Sequence, residues 1–358
     1  MITSHPLARH LTPPRGWQQE LAAAITDPAD LLARLSLDPA LLGDARDAAA
    51  LQAARGFPLR VPESYVRRMR PRDPRDPLLL QVLPLGREMQ PAPGFGGDPL
   101  GEAAARRAPS LLQKYAGRAL VVTTGACAVH CRYCFRRDFD YTADASLDGA
   151  LAAIAADVSL EEVILSGGDP LVLNDRRLGA LLASLRAIPH VRRLRLHTRT
   201  PVVLPSRVDA GLLAVLREHA RVAPPGLRLV IVVHANHAAE LDDETRSALR
   251  ALAGTGATLL NQSVLLRDVN DDVDSLRALS LALFDAGVLP YYLHLLDPVA
   301  GVAHFDVGET RARALMHGLL ATLPGYLVPR LVREEAGAPS KTWQDLGPGS
   351  QLAPQGAR

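Results

Sequence analysis

The sequence predicts an α/β protein, a partial (β/α)6 barrel behind a mostly helical N-terminal extension. Two observations carry that reading. Six short runs rich in Val, Leu and Ile (Arg118–Thr124, Glu162–Ser166, Arg193–Thr198, Arg228–His234, Thr258–Leu265 and Tyr291–Leu296) alternate with amphipathic stretches of helical period, the pattern of a parallel sheet with right-handed crossovers. Polar residues gather at the carboxyl ends of those runs, where barrel enzymes place their sites: Cys127, Ser166 to Asp169, His197 to Arg199, His234 to Asn236, Asn261 to Ser263 and Asp297. Chemistry spread over every strand end fits an open barrel better than a doubly wound sheet.

In chain order, residues 1–60 read as helical. Asp27 and Pro28 make an N-cap and first helical position before Leu31, Leu32 and Leu35. From Pro58 to Pro109 the chain is rich in Pro, Gly and Arg, with short helical turns expected at Glu63–Met69 and Pro77–Val82. So long an irregular stretch is unusual within a compact domain and reads as an arm wrapped across the core, so 1–110 forms the extension. Residues 111–322 carry the strand–helix alternation, with one helix clear from Leu178, Leu181, Leu182 and Leu185. Residues 323–358 add a last strand, expected at Tyr326–Val332, and a Gly/Pro/Ser loop holding Lys341.

Composition narrows the function. An apolar fraction of 48% over 358 residues supplies a large core, and a net charge of +2 without a basic cluster argues against nucleic acid. No 18-residue apolar run suggests a membrane span, and Met1 to Glu20 lacks the apolar core of a signal peptide. Of the 40 Lys and Arg residues only Lys114 and Lys341 are lysines. Where lysine survives such a bias, the chemistry of an amine, such as imine formation, is what arginine cannot replace.

All 3 cysteines, Cys127, Cys131 and Cys134, fall in one short loop. An odd number at so tight a spacing is a poor disulfide set. Zinc would need His130 as a fourth ligand, folded back from inside the loop. A cubane [4Fe–4S] cluster, normally held by four thiolates, would keep one iron open on three, and this reading is preferred. Free thiols and an oxidisable cluster both point to the reducing cytoplasm.

The spacing Cys127-x3-Cys131-x-Tyr133-Cys134 resembles the signature of radical S-adenosylmethionine (SAM) enzymes, in which SAM chelates the open iron and the aromatic, here Tyr133, lies against adenine. Ser166, Gly167, Gly168 and Asp169 resemble the segment that meets the methionyl end of SAM, and His234 and Gln262 match further SAM contacts. From about Leu111 to Thr342 the chain is similar to the lysine 2,3-aminomutases, through the cysteine loop, the Ser166–Asp169 turn, Arg199–Pro205, Asn261–Asp271 and Pro290–Leu293.

That resemblance implies pyridoxal phosphate (PLP) as a second cofactor, linked to Lys341, with Lys114, Tyr115 and Arg118 at its anchoring positions and Lys114 where the mutases have arginine. It implies that Arg136 grips the substrate carboxylate, and that Asp297 and Glu334 hold the distal ammonium of lysine, Glu334 standing where the mutases have aspartate. A subgroup, the elongation factor P β-lysylation enzymes, fits further, through Asp76–Leu79, Gln81–Leu83, Ala92–Pro99, Lys114–Leu120 and Pro339–Thr342; Trp343 and Gln344 depart from its usual Pro-Leu. Implied partners are lysine, an electron donor, and indirectly elongation factor P and the separate ligase-like enzyme that attaches β-lysine to it. The alternatives are a radical SAM mutase of glutamate or arginine, and a Cys3His zinc-binding interaction protein.

Overall fold

The computed structural model describes residues 16–42, 48–141, 146–220 and 227–346. Its centre is one sheet of 10 strands in sequential order: β1 (Arg106–Ala108), β2 (Leu111–Tyr115), β3 (Arg118–Thr124), β4 (Glu162–Gly167), β5 (Arg193–Thr198), β6 (Arg228–Val233), β7 (Thr258–Val264), β8 (Leu289–His294), β9 (Arg330–Arg333) and β10 (Thr342–Trp343). Strands β3 to β9 are parallel, β1–β2–β3 are antiparallel, and β10 returns antiparallel on β9. Among the described residues no ladder joins the two ends of this order, so the sheet is an open, partial barrel.

The helices are α1 (Trp17–Ala22), α2 (Pro28–Arg34), α3 (Ala48–Gly56), α4 (Glu63–Val66), α5 (Pro77–Leu80), α6 (Asp148–Ala156), α7 (Asp175–Arg186), α8 (Thr200–Val203), α9 (Ala210–Ala220), α10 (Asp243–Ala253), α11 (Val273–Asp285) and α12 (Glu309–Thr322). Six of them, α6, α7, α9, α10, α11 and α12, each return one parallel strand to the next. The starts of α7, α10 and α11 are set by side chains that accept orphan amides: Asn174 from Arg177, Asp242 from Thr245 and Asp272 from Ser275. On α7, Leu178, Leu181, Leu182 and Leu185 face inward and are buried together with Val163, Leu194 and Ile231 from the sheet.

Ahead of the barrel, α2 begins as its sequence dictates, with Asp27 accepting the Ala29 amide at 2.8 Å and Pro28 at N1. Leu31, Leu32, Leu59, Tyr65, Leu78 and Leu79 build a second core that includes Val203 and Leu204 of the barrel and Ala128 and Val129 of the cysteine loop. The extension and the arm therefore pack directly on the loop that carries the thiols.

Two expectations need correction. The last strand begins at Arg330, not Tyr326, because Pro324 opens a 3-10 turn at Gly325–Leu327 and Pro329 cannot donate to a ladder. The six-strand reading puts Lys114 ahead of the first strand, at Arg118, whereas it sits in β2, which pairs with β1 and turns back into β3 at Ala116 and Gly117, with Gly117 at φ 72°. The first fifteen residues, expected as helical, lie outside the described ones.

Candidate active site

At the carboxyl ends of the parallel strands, and running down inside them, lies a cavity of about 540 Å³. Cys127, Cys131, Cys134, Tyr133, Ser166, Gly167, Gly168, Asp169, His234, Gln262, Arg136, Asp297, Glu334, Lys114, Tyr115, Arg118 and Lys341 all line it. The positions that the resemblance implies for cluster, SAM, PLP and substrate thus share one space, whereas His130, Asn236, Asn261 and Ser263 do not line it.

The cysteine loop follows β3 and is seated by close approach to the end of β4. Gly168 donates its amide to Thr124 O at 2.6 Å and Asp169 to Ala126 O at 2.9 Å. A Cβ on Gly168 would stand 2.2 Å from Ala126 O, and Gly167 has φ 102°, so both glycines are required by the loop's path. The Asp169 carboxylate is consumed structurally: it accepts from Leu171 N, Thr198 Oγ1, Arg199 N and Thr200 N, tying β4 to β5.

The outer side of the loop is clamped by the arm. Glu88 takes Arg132 Nε at 2.8 Å and Nη2 at 2.5 Å, and Arg137 Nη2 at 2.9 Å, with Arg132 fully buried. His130 is turned away from the thiols: Nδ1 lies 2.8 Å from Pro58 O and its ring stacks on Phe57 at 5.1 Å. The Cys3His arrangement for zinc is therefore not formed, and among the described residues no three His, Cys, Asp or Glu side chains converge as around a single ion. Three half-buried thiols without a fourth ligand fit a cubane cluster with one open iron. Burial and the neighbouring Cys131 push the Cys134 thiol up to about 11, so a metal taken up here displaces protons. Arg199 Nη1 reaches Cys131 Sγ at 2.7 Å and Tyr133 Oη at 2.5 Å.

Tyr133 is locked in the wall by Asn236 Nδ2 at 2.7 Å and His234 Nε2 at 2.9 Å, its ring stacked on His234 at 5.6 Å. Burial, then Arg199, lower His234 to about 3, so it is neutral at physiological pH. Burial also depresses His197 and His294, whose Nε2 atoms are enclosed without partners.

The opposite side holds a chain of alternating charges. Glu102 of the arm grips Arg136 in bidentate fashion, both contacts at 2.7 Å, while Arg136 Nη1 reaches Ser166 Oγ at 3.1 Å. Burial would lower Arg136, but Glu102 outweighs it and raises it above its ordinary value. Lys114 Nζ lies 3.3 Å from Glu102 Oε1 and 2.8 Å from Glu334 Oε1. Lys341 Nζ donates to Glu334 Oε2. Against the effect of burial, Lys341 and Lys114 hold Glu334 well below the usual carboxylate range. Asp297 is the reverse case: burial and then Glu334 raise it to about 7, and its Oδ1 is enclosed without a partner. Arg118 lies over the Tyr115 ring at 4.7 Å. Enclosed, unpartnered Asp297 Oδ1, His197 Nε2 and His294 Nε2 around a cavity of this size fit a polar ligand rather than a structural core.

Sequence reasoning missed Glu102, Glu88 and His294. Nothing around Glu102 or Glu88 signals a role, because each meets its arginine only through the path of the arm. His294 was open to the rule that flagged its neighbours, since it ends a parallel strand.

No family model matches the chain. It is 48% identical to the L-lysine 2,3-aminomutase of Escherichia coli (strain K12), over 94% of this chain and 96% of that protein. It is 44% identical to the L-lysine 2,3-aminomutase of Haemophilus influenzae, over 92% and 95% respectively. Among solved structures, a radical SAM methyltransferase from Sphaerobacter thermophilus aligns with 62% of this chain and 68% of its own at 19% identity and a TM-score of 0.43. The strand order, not that loose likeness, carries the fold class.

Proposed function

The chain belongs to the radical SAM lysine 2,3-aminomutase family and is an isomerase, and from that premise we propose that it converts (S)-α-lysine to (R)-β-lysine by moving the amino group from C2 to C3. The observation that carries this is the joint cavity: three thiols on one wall, both lysines of the chain and a carboxylate pair on the other, with Arg136 between them. When bound, a [4Fe–4S] cluster with SAM supplies the radical, and PLP the π system through which the amino group migrates.

Cys127, Cys131 and Cys134 are the cluster ligands. Gly167 and Gly168, with Ser166, His234, Gln262 and the Tyr133 ring, form the SAM side. Asp169 acts through β5 rather than by contact, since its oxygens are spent on amides and Thr198. Lys341 holds PLP, anchored by Lys114, Tyr115 and Arg118. Arg136, its fork fixed by Glu102, orients the substrate carboxylate, and Asp297 with Glu334 receives the distal ammonium. Fixing both ends of a flexible substrate places one carbon at the radical and keeps the others away. In this reading the chain is a cytoplasmic supplier of β-lysine for elongation factor P; among the described residues no helix is long and apolar enough to cross a membrane.

The test is anaerobic turnover with SAM, PLP, a chemical reductant and lysine, with glutamate and arginine in parallel and chiral analysis of the products. (R)-β-Lysine is expected; a β-amino acid from glutamate or arginine alone would replace lysine as the substrate. The elongation factor P role is read separately, as loss of the β-lysyl mass from that protein when the gene is deleted.

A further inference from the structure

Lys114 and Glu334, two positions at which the resemblance implies arginine and aspartate in the mutases, meet in space: Lys114 Nζ lies 2.8 Å from Glu334 Oε1. One side chain is shorter than its counterpart and the other is longer, so the reach of the pair is kept. The second oxygen of Glu334 accepts the ammonium of Lys341, a primary amine on a four-carbon stem, which is the group a bound lysine would present. Lys341 in this position stands in for the distal end of the substrate. With Lys341 linked to PLP its nitrogen would be drawn to the cofactor, and Glu334 Oε2 would be open to an entering ammonium beside the unpartnered Asp297 Oδ1.

We propose that Lys114, beyond its place beside PLP, is the positioning residue of this ammonium seat: by holding Glu334 Oε1 it turns Oε2 toward a primary ammonium, and Lys114 and Glu334 are a length-matched pair. The inference rests on the aminomutase reading and adds to it how the seat is built in this chain. Lys114 also touches Glu102, which fixes Arg136. One ammonium thereby links the group proposed for the substrate carboxylate to the seat at the other end. A seat set at a fixed span from Arg136 selects chain length as well as charge.

The test uses cluster-containing, PLP-loaded protein without SAM or reductant, and reads binding of lysine and of norleucine, which lacks the distal ammonium, from the absorbance of bound PLP. The ratio of the two dissociation constants is compared in wild type, Lys114→Arg, Glu334→Asp and the double variant. Taking both ligands on the same protein cancels any loss of folded or loaded material. Each single substitution is expected to lower the lysine preference about tenfold, in the range set by one charge-assisted hydrogen bond, and the double variant to restore it to within about threefold. Additive losses in the double variant, or single variants with unchanged preference, overturn the proposal while leaving lysine as substrate. Equal binding of the two ligands by wild type overturns both.

Discussion

Replacing Asp297 by Asn should make the cofactor-free protein more stable, and only at neutral and alkaline pH. The Asp297 carboxyl is raised from 3.8 to about 7 by burial and by Glu334. The folded state therefore holds this proton more tightly than the unfolded chain. For an acid shifted upward the penalty is absent below the unfolded value, grows as pH climbs through the interval, and is complete above about 7. Three pH units at about 1.36 kcal/mol each bound the effect at roughly 4 kcal/mol, and water reaching a half-buried side chain brings it to about 2–3 kcal/mol. Asn has nearly the same shape and never ionises, so its advantage should be small at pH 5, rise by about 1 kcal/mol per pH unit to pH 7, and then level off. Urea unfolding of both proteins from pH 5 to 8.5, in thiol reductant, measures this difference. Glu334 titrates in both and largely cancels. A pH-independent difference, or a wild type more stable than the variant at pH 8, would refute the reasoning. The same substitution should raise the KM for lysine in the loaded enzyme, since the ammonium needs the charge that folding penalises.

Cys131→Ala should abolish both the cluster's visible absorbance and reductive SAM cleavage; full iron content in that variant would remove Cys131 from the ligand set. Borohydride reduction of PLP-loaded protein followed by peptide mapping should place the pyridoxyl group on Lys341, and an adduct on Lys114 would reverse the two assignments. Gly168→Ala should leave a folded chain that assembles little cluster, because its Cβ would stand 2.2 Å from Ala126 O; normal iron content would show that the loop yields. Glu88→Gln should cost about 3–5 kcal/mol in urea unfolding, since Arg132 is fully buried and loses its counter-charge, whereas a loss below 1 kcal/mol would mean that water reaches it.

The barrel was readable because its strands announce themselves twice, by apolar runs and by the polar residue that follows each. Arg118–Thr124 and Arg193–Thr198 were placed to the residue. The hairpin before them was not, although Gly117 marks its turn, because Leu111–Tyr115 is short and its burial does not alternate. Pro329 explains the late start of β9, and was passed over in a run that is otherwise apolar. In the cavity, the cysteines, the Gly167–Gly168 turn and both lysines were legible as residue types that chemistry cannot exchange. What the sequence withheld is the pairing. Arg136 with Glu102, Arg132 with Glu88 and Lys114 with Glu334 span 34, 44 and 220 residues, and a carboxylate in an irregular arm carries no local mark of its partner.

The ring of strands is completed by charge. Lys114 belongs to β2, near one end of the sheet order, and Glu334 and Lys341 lie between β9 and β10 at the other. Where a closed barrel would carry a ladder of backbone hydrogen bonds, this one has a clasp of two ion pairs on a single carboxylate. A ladder fixes circumference and register together, whereas a clasp fixes neither. At this level the two ends of the sheet order meet through side chains, so the joint depends on the charges of Lys114, Glu334 and Lys341. Linking Lys341 to a cofactor would draw its nitrogen away from Glu334 and leave Lys114 as the remaining cation on that carboxylate, so loading the cavity and opening one half of the clasp would be the same event.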